Sequence, residues 1–174
     1  TLASEQGIQD IDNYIQIIAD KTASLLATSA RFGAMYSGAD VNIIDALANY
    51  GYEMGIVFQL ADDIIDIKST SEESGKTQGT DLREGVPTLV TLLILTGKVG
   101  SSDWLREQLS GPITDEEVLE KVLAELRSHE AVAVATQIVK ERGSKADNYL
   151  ATLPECAAKQ ALKSLTDSVI NRTS

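Results

Sequence analysis

Apolar residues recur at helical spacing along almost the whole of this chain. From Ile8 to Tyr36, the set Ile11, Tyr14, Ile15, Ile18, Leu25, Leu26 and Phe32 follows the three-and-four alternation of a helix with one buried face. Ser37-Gly38 supplies a stop, and Asp40 can cap the next helix. That second segment, about Val41 to Lys68, is apolar on more than one face through Ile44, Leu47, Tyr50, Met54, Val57, Leu60 and Ile64, which places it centrally in the fold. A polar stretch from Ser69 to Gly85 reads as a mobile loop, of the kind that often serves as a lid. A short apolar helix is predicted over Thr88 to Thr96, closed by Gly97, and another begins at Gly100-Ser101-Ser102 and carries Trp104. Pro112-Ile113-Thr114-Asp115-Glu116-Glu117 reads as a helix start, with Thr114 as cap and Glu117 completing a capping box. That helix runs to about Ser128 and carries the stripe Leu119, Val122, Leu123 and Leu126. Two more helices complete the chain, about Glu130 to Leu153 and about Glu155 to Arg172. With no internal repeat, heptad or linker, the pattern predicts one all-α unit over residues 1–174.

Composition narrows the chemistry. A single cysteine, Cys156, excludes an internal disulfide framework and a thiolate metal cluster, and a single histidine, His129, argues against a histidine-based metal site or a Ser/His/Asp triad. His129 reads as a surface or interhelical residue. The net charge of −11 argues against nucleic acid as a partner, and requires metal ions or a local basic pocket for any phosphate-bearing ligand. The longest apolar stretch, Leu89 to Leu95, is too short to cross a bilayer, so no transmembrane segment is predicted. With no signal pattern in view, the expectation is a soluble, cytoplasmic protein in a reducing compartment.

Against that background, Phe58-Gln59-Leu60-Ala61-Asp62-Asp63-Ile64-Ile65-Asp66 stands out. On a helix Asp62 and Asp66 share a face, with Asp63 about 100° round from both. Three carboxylates among Ile, Leu and Phe repel one another and lose hydration unless a cation sits among them. An all-oxygen donor set of this density suits Mg²⁺, which keeps waters and shares carboxylates with substrate phosphates. The bland alternative is a helix that turns its acids to solvent, and the apolar surroundings of this segment make that harder to sustain.

Taken in order, the chain offers Tyr14 through Lys21-Thr22-Ala23, then Gly55-Ile56-Val57-Phe58-Gln59 with Asp62-Asp63 and Asp66. Gly75-Lys76 and Gly79-Thr80-Asp81-Leu82-Arg83-Glu84-Gly85 come next. This series resembles the trans-isoprenyl diphosphate synthases, also called polyprenyl synthetases, and the acidic run looks like that family's second aspartate-rich motif. The resemblance spans essentially the whole chain, although the helices after Gly97 add little that is diagnostic.

The resemblance implies an antiparallel helical bundle of the isoprenoid (polyprenyl) synthase type. It also implies a Mg²⁺-dependent prenyltransferase, which ionises an allylic diphosphate, joins the cation to isopentenyl diphosphate and releases a trans product one five-carbon unit longer. Asp62, Asp63 and Asp66 match the metal-binding motif. Lys21, Thr22, Gln59 and Lys76 match positions that hold the diphosphate or stabilise the allylic cation. Taken singly, Lys21 and Lys76 read as ordinary surface lysines; their order and spacing point to function. Phe58 has two open readings, core packing or lining of the isoprenoid pocket. Arg83-Glu84 reads equally as a surface pair and is left unassigned.

Two departures qualify the match. Val86 and Val90 stand where family members often show Lys and then Pro, which removes one possible diphosphate contact. No run matches the family's first aspartate-rich motif, so the expectation is an incomplete bundle, the C-terminal part of a synthase, that associates with an upstream segment carrying that motif. A homodimer is the family expectation. Product length is not encoded here, because the residues that set it lie near the absent motif. The competing readings are a class I terpene cyclase and a non-catalytic helical subunit of a heteromeric synthase. Phe58-Gln59 and Gly75-Lys76 favour the synthase over the cyclase, and retention of all three aspartates favours it over the inert subunit.

Overall fold

In the computed structural model, which describes residues 10–68 and 78–173, every regular element is helical. Helix α1 spans Ile11–Ile18 and passes through a π-helical turn, Ala19–Ala23, into α2, Ser24–Tyr36. Then come α3 (Val41–Lys68), α4 (Thr80–Glu84), α5 (Leu89–Leu95), α6 (Asp103–Leu109), α7 (Glu116–Ser128), α8 (Glu130–Ala151) and α9 (Ala157–Asn171). By Cα proximity the chain divides into two compact units, Thr1–Tyr14 with Asp62–Thr136, and Ile15–Ala61 with Gln137–Ser174.

In the first unit, short helices are held by side-chain caps and left-handed glycines. Asp115 is the cap of α7, accepting from the amides of Glu117 at 2.8 Å and Val118 at 3.2 Å. This displaces the predicted Thr114–Glu117 capping box by one residue, because the aspartate carboxylate satisfies two of the orphan amides at once. Ser102 caps α6 through the Leu105 amide, and Gly97 (φ 70°) closes α5 as predicted. Of the stretch predicted to be a loop, residues 69–77 lie outside the described residues. Thr80–Glu84 is instead a helical turn between Gly79 and Gly85, both at positive φ. His129 is interhelical: its Nδ1 accepts from the Ala131 amide and caps the start of α8. Leu82, Leu89, Leu92, Ile94, Leu105, Leu119, Val122 and Leu126 are buried, which bears out the stripe read on α7.

The second unit is built along α3, whose Tyr50, Met54, Ile56, Val57 and Leu60 are all buried, as its multi-faced pattern predicts. Its buried Glu53 is held by Arg142, at 3.1 Å, and by Lys145 on α8. The Tyr50 hydroxyl donates to the Leu162 carbonyl on α9 at 2.9 Å. The first helical segment departs from its predicted single stripe. Tyr14 and Ile18 are buried, whereas Leu25, Leu26 and Phe32 are 40–66% exposed. A π turn puts an extra residue into the helix, so the apolar positions after it face a different direction from those before it.

Candidate functional site

The aspartates occupy the last two turns of α3, the negative end of the helix dipole, where carboxylates are least welcome. They are not equivalent. Asp63 is only 4% exposed, while Asp62 and Asp66, four residues apart on one face, are half-buried. The Asp63 Oδ2 accepts a short hydrogen bond from the hydroxyl of Tyr14, which is itself 5% exposed. Burial first, and then the Asp63 carboxylate, push the Tyr14 phenol well above its ordinary pKa, so it stays a donor across the accessible pH range; Asp81 adds to the same effect. Among the described residues no three His, Cys, Asp or Glu side chains are grouped to share one metal ion. The physical reason is the helix itself: positions i, i+1 and i+4 diverge, and Asp63 is turned toward Tyr14. Two half-exposed carboxylates on one face suit a hard cation that completes its shell with water and phosphate oxygens, and do not suit an all-protein cage.

In the second unit, Lys21 and Thr22 lie within the π turn Ala19–Ala23, with Lys21 exposed and Thr22 half-buried. Such turns widen the helix locally and are frequent at functional sites. The turn sits against α3 at a Gly-x-x-x-Gly pair. A Cβ on Gly55 would lie 2.4 Å from the Ala23 Cα, and one on Gly51 would lie 2.8 Å from the Leu26 carbonyl oxygen. Only glycine permits backbones to approach so closely. The approach leaves the Thr22 hydroxyl 3.5 Å from Gln59 Oε1, so these two predicted residues are brought together. Phe58 is 42% exposed, and it lines an apolar cavity of about 480 Å³ with Leu26, Leu47, Met54 and Leu165. This placement puts Phe58 on the wall of a cavity and not inside the core.

Lys76 lies outside the described residues. Val86 is exposed, its amide donating to the Asp81 carbonyl at 2.8 Å, whereas Val90 is fully buried in α5. Arg83, left unassigned by the sequence, pairs with Glu116 across 33 residues and donates to the Gln78 carbonyl at 3.4 Å. Sequence reasoning assigned no role to Tyr14, Gly55 or Asp81, although all three fall in the runs that carry the resemblance. No local signal marks Tyr14, whose partner Asp63 lies 49 residues on.

Comparison with known proteins places these features. The family model described as polyprenyl synthetase matches residues 2–126. A nonaprenyl diphosphate synthase of Mycobacterium tuberculosis is 37% identical over 99% of this chain and 51% of its own length. Component 2 of the heptaprenyl diphosphate synthase of Bacillus subtilis is 35% identical over 94% of this chain and 46% of its own length. The crystal structure of a geranylgeranyl pyrophosphate synthase from Corynebacterium glutamicum, complexed with calcium and isoprenyl diphosphate, superposes with a TM-score of 0.87. It is 36% identical, over 99% of this chain and 55% of that one. The chain thus spans about half the length of the curated relatives it matches.

Proposed function

We propose, from the premise that the chain belongs to the polyprenyl synthetase family, that it supplies the diphosphate-gripping wall of a trans-prenyltransferase. The reaction is ionisation of an allylic diphosphate, attack of isopentenyl diphosphate on the cation, and loss of one proton to give a trans product five carbons longer. The observation that carries the reading is the placing of Asp62, Asp63 and Asp66 at the C-terminal end of a largely buried helix, where dipole and carboxylates alike attract cations.

Asp62 and Asp66, half-buried on one face, are the carboxylates that would hold a divalent ion; Asp63, hydrogen-bonded by Tyr14, adds charge beside them. When bound, Mg²⁺ would neutralise the charge that gathers on the departing diphosphate, and so favour the transition state over the bound substrate. The Lys21 ammonium and Thr22 hydroxyl hold diphosphate oxygens. Lys76 adds a second ammonium to the same group. Gln59 presents a neutral amide dipole, which stabilises an adjacent carbocation without forming a bond to it. Phe58, which lines an apolar cavity of the second unit, would face the isoprenoid chain in this reading. The family's first aspartate-rich motif, matched by no run of this sequence, supplies the opposite wall, from an upstream segment or a partner. A homodimer working in the cytoplasm belongs to the same proposal; among the described residues no helix is long and apolar enough to cross a membrane.

The test is incubation of the purified protein, alone and with the upstream half of a relative, with Mg²⁺, allylic diphosphates of five to fifteen carbons and labelled isopentenyl diphosphate. The expected result is a product longer by whole five-carbon units, abolished by a chelator. Hydrocarbon released from the allylic diphosphate alone would establish the cyclase instead. No product in either arrangement, together with no uptake of Mg²⁺ and diphosphate, would leave only the inert subunit.

A further inference from the structure

Arg127 stands at the last turn of α7, 60 residues along the chain from the end of α3 that its side chain reaches. Its Nε donates to the carbonyl of Ile67, the residue after Asp66, at 3.0 Å, and its Nη2 donates to the Gln78 Oε1, also at 3.0 Å. The Ile67 carbonyl belongs to the final turn of α3, where carbonyls have no partner within the helix and carry the negative end of the dipole. A guanidinium is suited to this position because it is planar, permanently charged and able to donate in two directions at once. Gln78 is gripped a second time, by Arg83 Nε on its carbonyl at 3.4 Å, and Arg83 pairs in turn with Glu116. The Gly79 amide meets the Asp66 carbonyl at 3.4 Å. Helix α7 therefore has a hold at each end, Glu116 on α4 and Arg127 on the end of α3.

We infer that Arg127 is a positioning residue for the metal-binding aspartates: it fixes the last turn of α3, and with it the directions of Asp62 and Asp66, by tying Ile67 to Gln78. The inference rests on the reading of α3 as the diphosphate-gripping wall. Arg127 touches neither substrate nor metal in this scheme. Its positive charge also faces the negative end of the α3 dipole, so the turn is held without a bound cation. Lysine could replace one of the two hydrogen bonds but cannot span both acceptors, since its three donors radiate from a single atom.

The experiment compares the wild type with Arg127→Lys and Gln78→Ala, two exposed or half-exposed positions whose replacement leaves the core intact. Amide hydrogen exchange at Asp66–Lys68 and Gly79 reads the brace directly, and titration with Mg²⁺ in the presence of inorganic diphosphate reads its consequence. Each variant should speed exchange at these amides by roughly tenfold, the scale of one lost charge-assisted hydrogen bond. Exchange in α9 should stay unchanged, and half-saturation by Mg²⁺ should rise several-fold. Unchanged exchange in both variants would overturn the brace. Faster exchange with an unaltered Mg²⁺ titration would overturn the positioning role and leave Arg127 a structural cap. A wild type that takes up no Mg²⁺ with diphosphate, while the variants still exchange faster, would overturn the metal reading of α3 and uphold the brace.

Discussion

Gly55→Ala tests the geometry on which the Lys21-Thr22 pair depends. A Cβ at this position would lie 2.4 Å from Ala23 Cα, 2.9 Å from Ala23 Cβ and 3.0 Å from Ala23 N, whereas ordinary contacts begin at 3.4 Å. Two of the three atoms are backbone, so no side-chain rotation relieves the clash, and the π turn must retreat from α3 by about 1 Å. Overpacking of this kind costs about 1–3 kcal/mol, against a gain of about 1 kcal/mol from replacing glycine inside a helix. With backbone as the obstacle the net should fall near 1–2 kcal/mol of destabilisation, or a fall in Tm of roughly 2–8 °C for a chain of this size. Gly33→Ala in α2 is the control, because nothing lies within 4 Å of its Cβ position and the propensity gain is unopposed. Thermal unfolding followed by circular dichroism should therefore shift in opposite directions for the two variants. Gly55→Ala should also weaken binding of inorganic diphosphate more than its stability loss explains, because the Thr22–Gln59 pair, already at 3.5 Å, is drawn apart. If Gly55→Ala is as stable as the wild type, or is stabilised like the control, the close-approach reasoning is wrong.

In an active assembly, and on the proposed reading of Asp62 as a metal-holding carboxylate, Asp62→Ala should cut Mg²⁺-dependent turnover by orders of magnitude, while relief of carboxylate repulsion limits the loss of stability; an unfolded variant in circular dichroism would contradict this. Tyr14→Phe removes the buried donor to Asp63 and should cost about 1–3 kcal/mol in urea unfolding, where a change below the error of the measurement would argue that other contacts fully hold Asp63. Asp147 on α8 gives a pH signature. Burial and then the Asp167 charge raise its carboxyl above the ordinary 3.8, against the opposing pull of Thr166 and Lys163, and its Oδ1 is buried without a hydrogen-bond partner among the described residues. The folded state thus holds this proton more tightly than the unfolded chain, so its contribution to stability is lost as pH rises from 3.8 through the folded value. Asp147→Asn should accordingly gain stability over the wild type at pH 7 and lose that advantage near pH 4, as read by urea midpoints at the two pH values.

Parts of the structure that depend on local chemistry were legible in the sequence, and parts that depend on a distant partner were not. The bounds of α3 could be read because an apolar surface on several faces leaves a 28-residue segment only one stable arrangement, a central helix. Its aspartates could be read because few arrangements tolerate three acids among Ile and Leu. The cap of α7 was misplaced by one residue because Thr114 and Asp115 are both competent, and the choice falls to whichever reaches more free amides. The residues that support the site escaped for a different reason. A tyrosine, a glycine and an arginine each have many uses in a helix, and nothing in their neighbours selects among them. Tyr14 acquires its role from Asp63, 49 residues on, and Arg127 from Ile67, 60 residues back. Gly55 acquires its role from Ala23, whose own π turn has no local signature. Groups proposed to face a ligand are constrained by the chemistry of what they would hold, so type and spacing point to them. Supporting groups are constrained only by where the fold delivers their partners, and that becomes visible when the helices are packed.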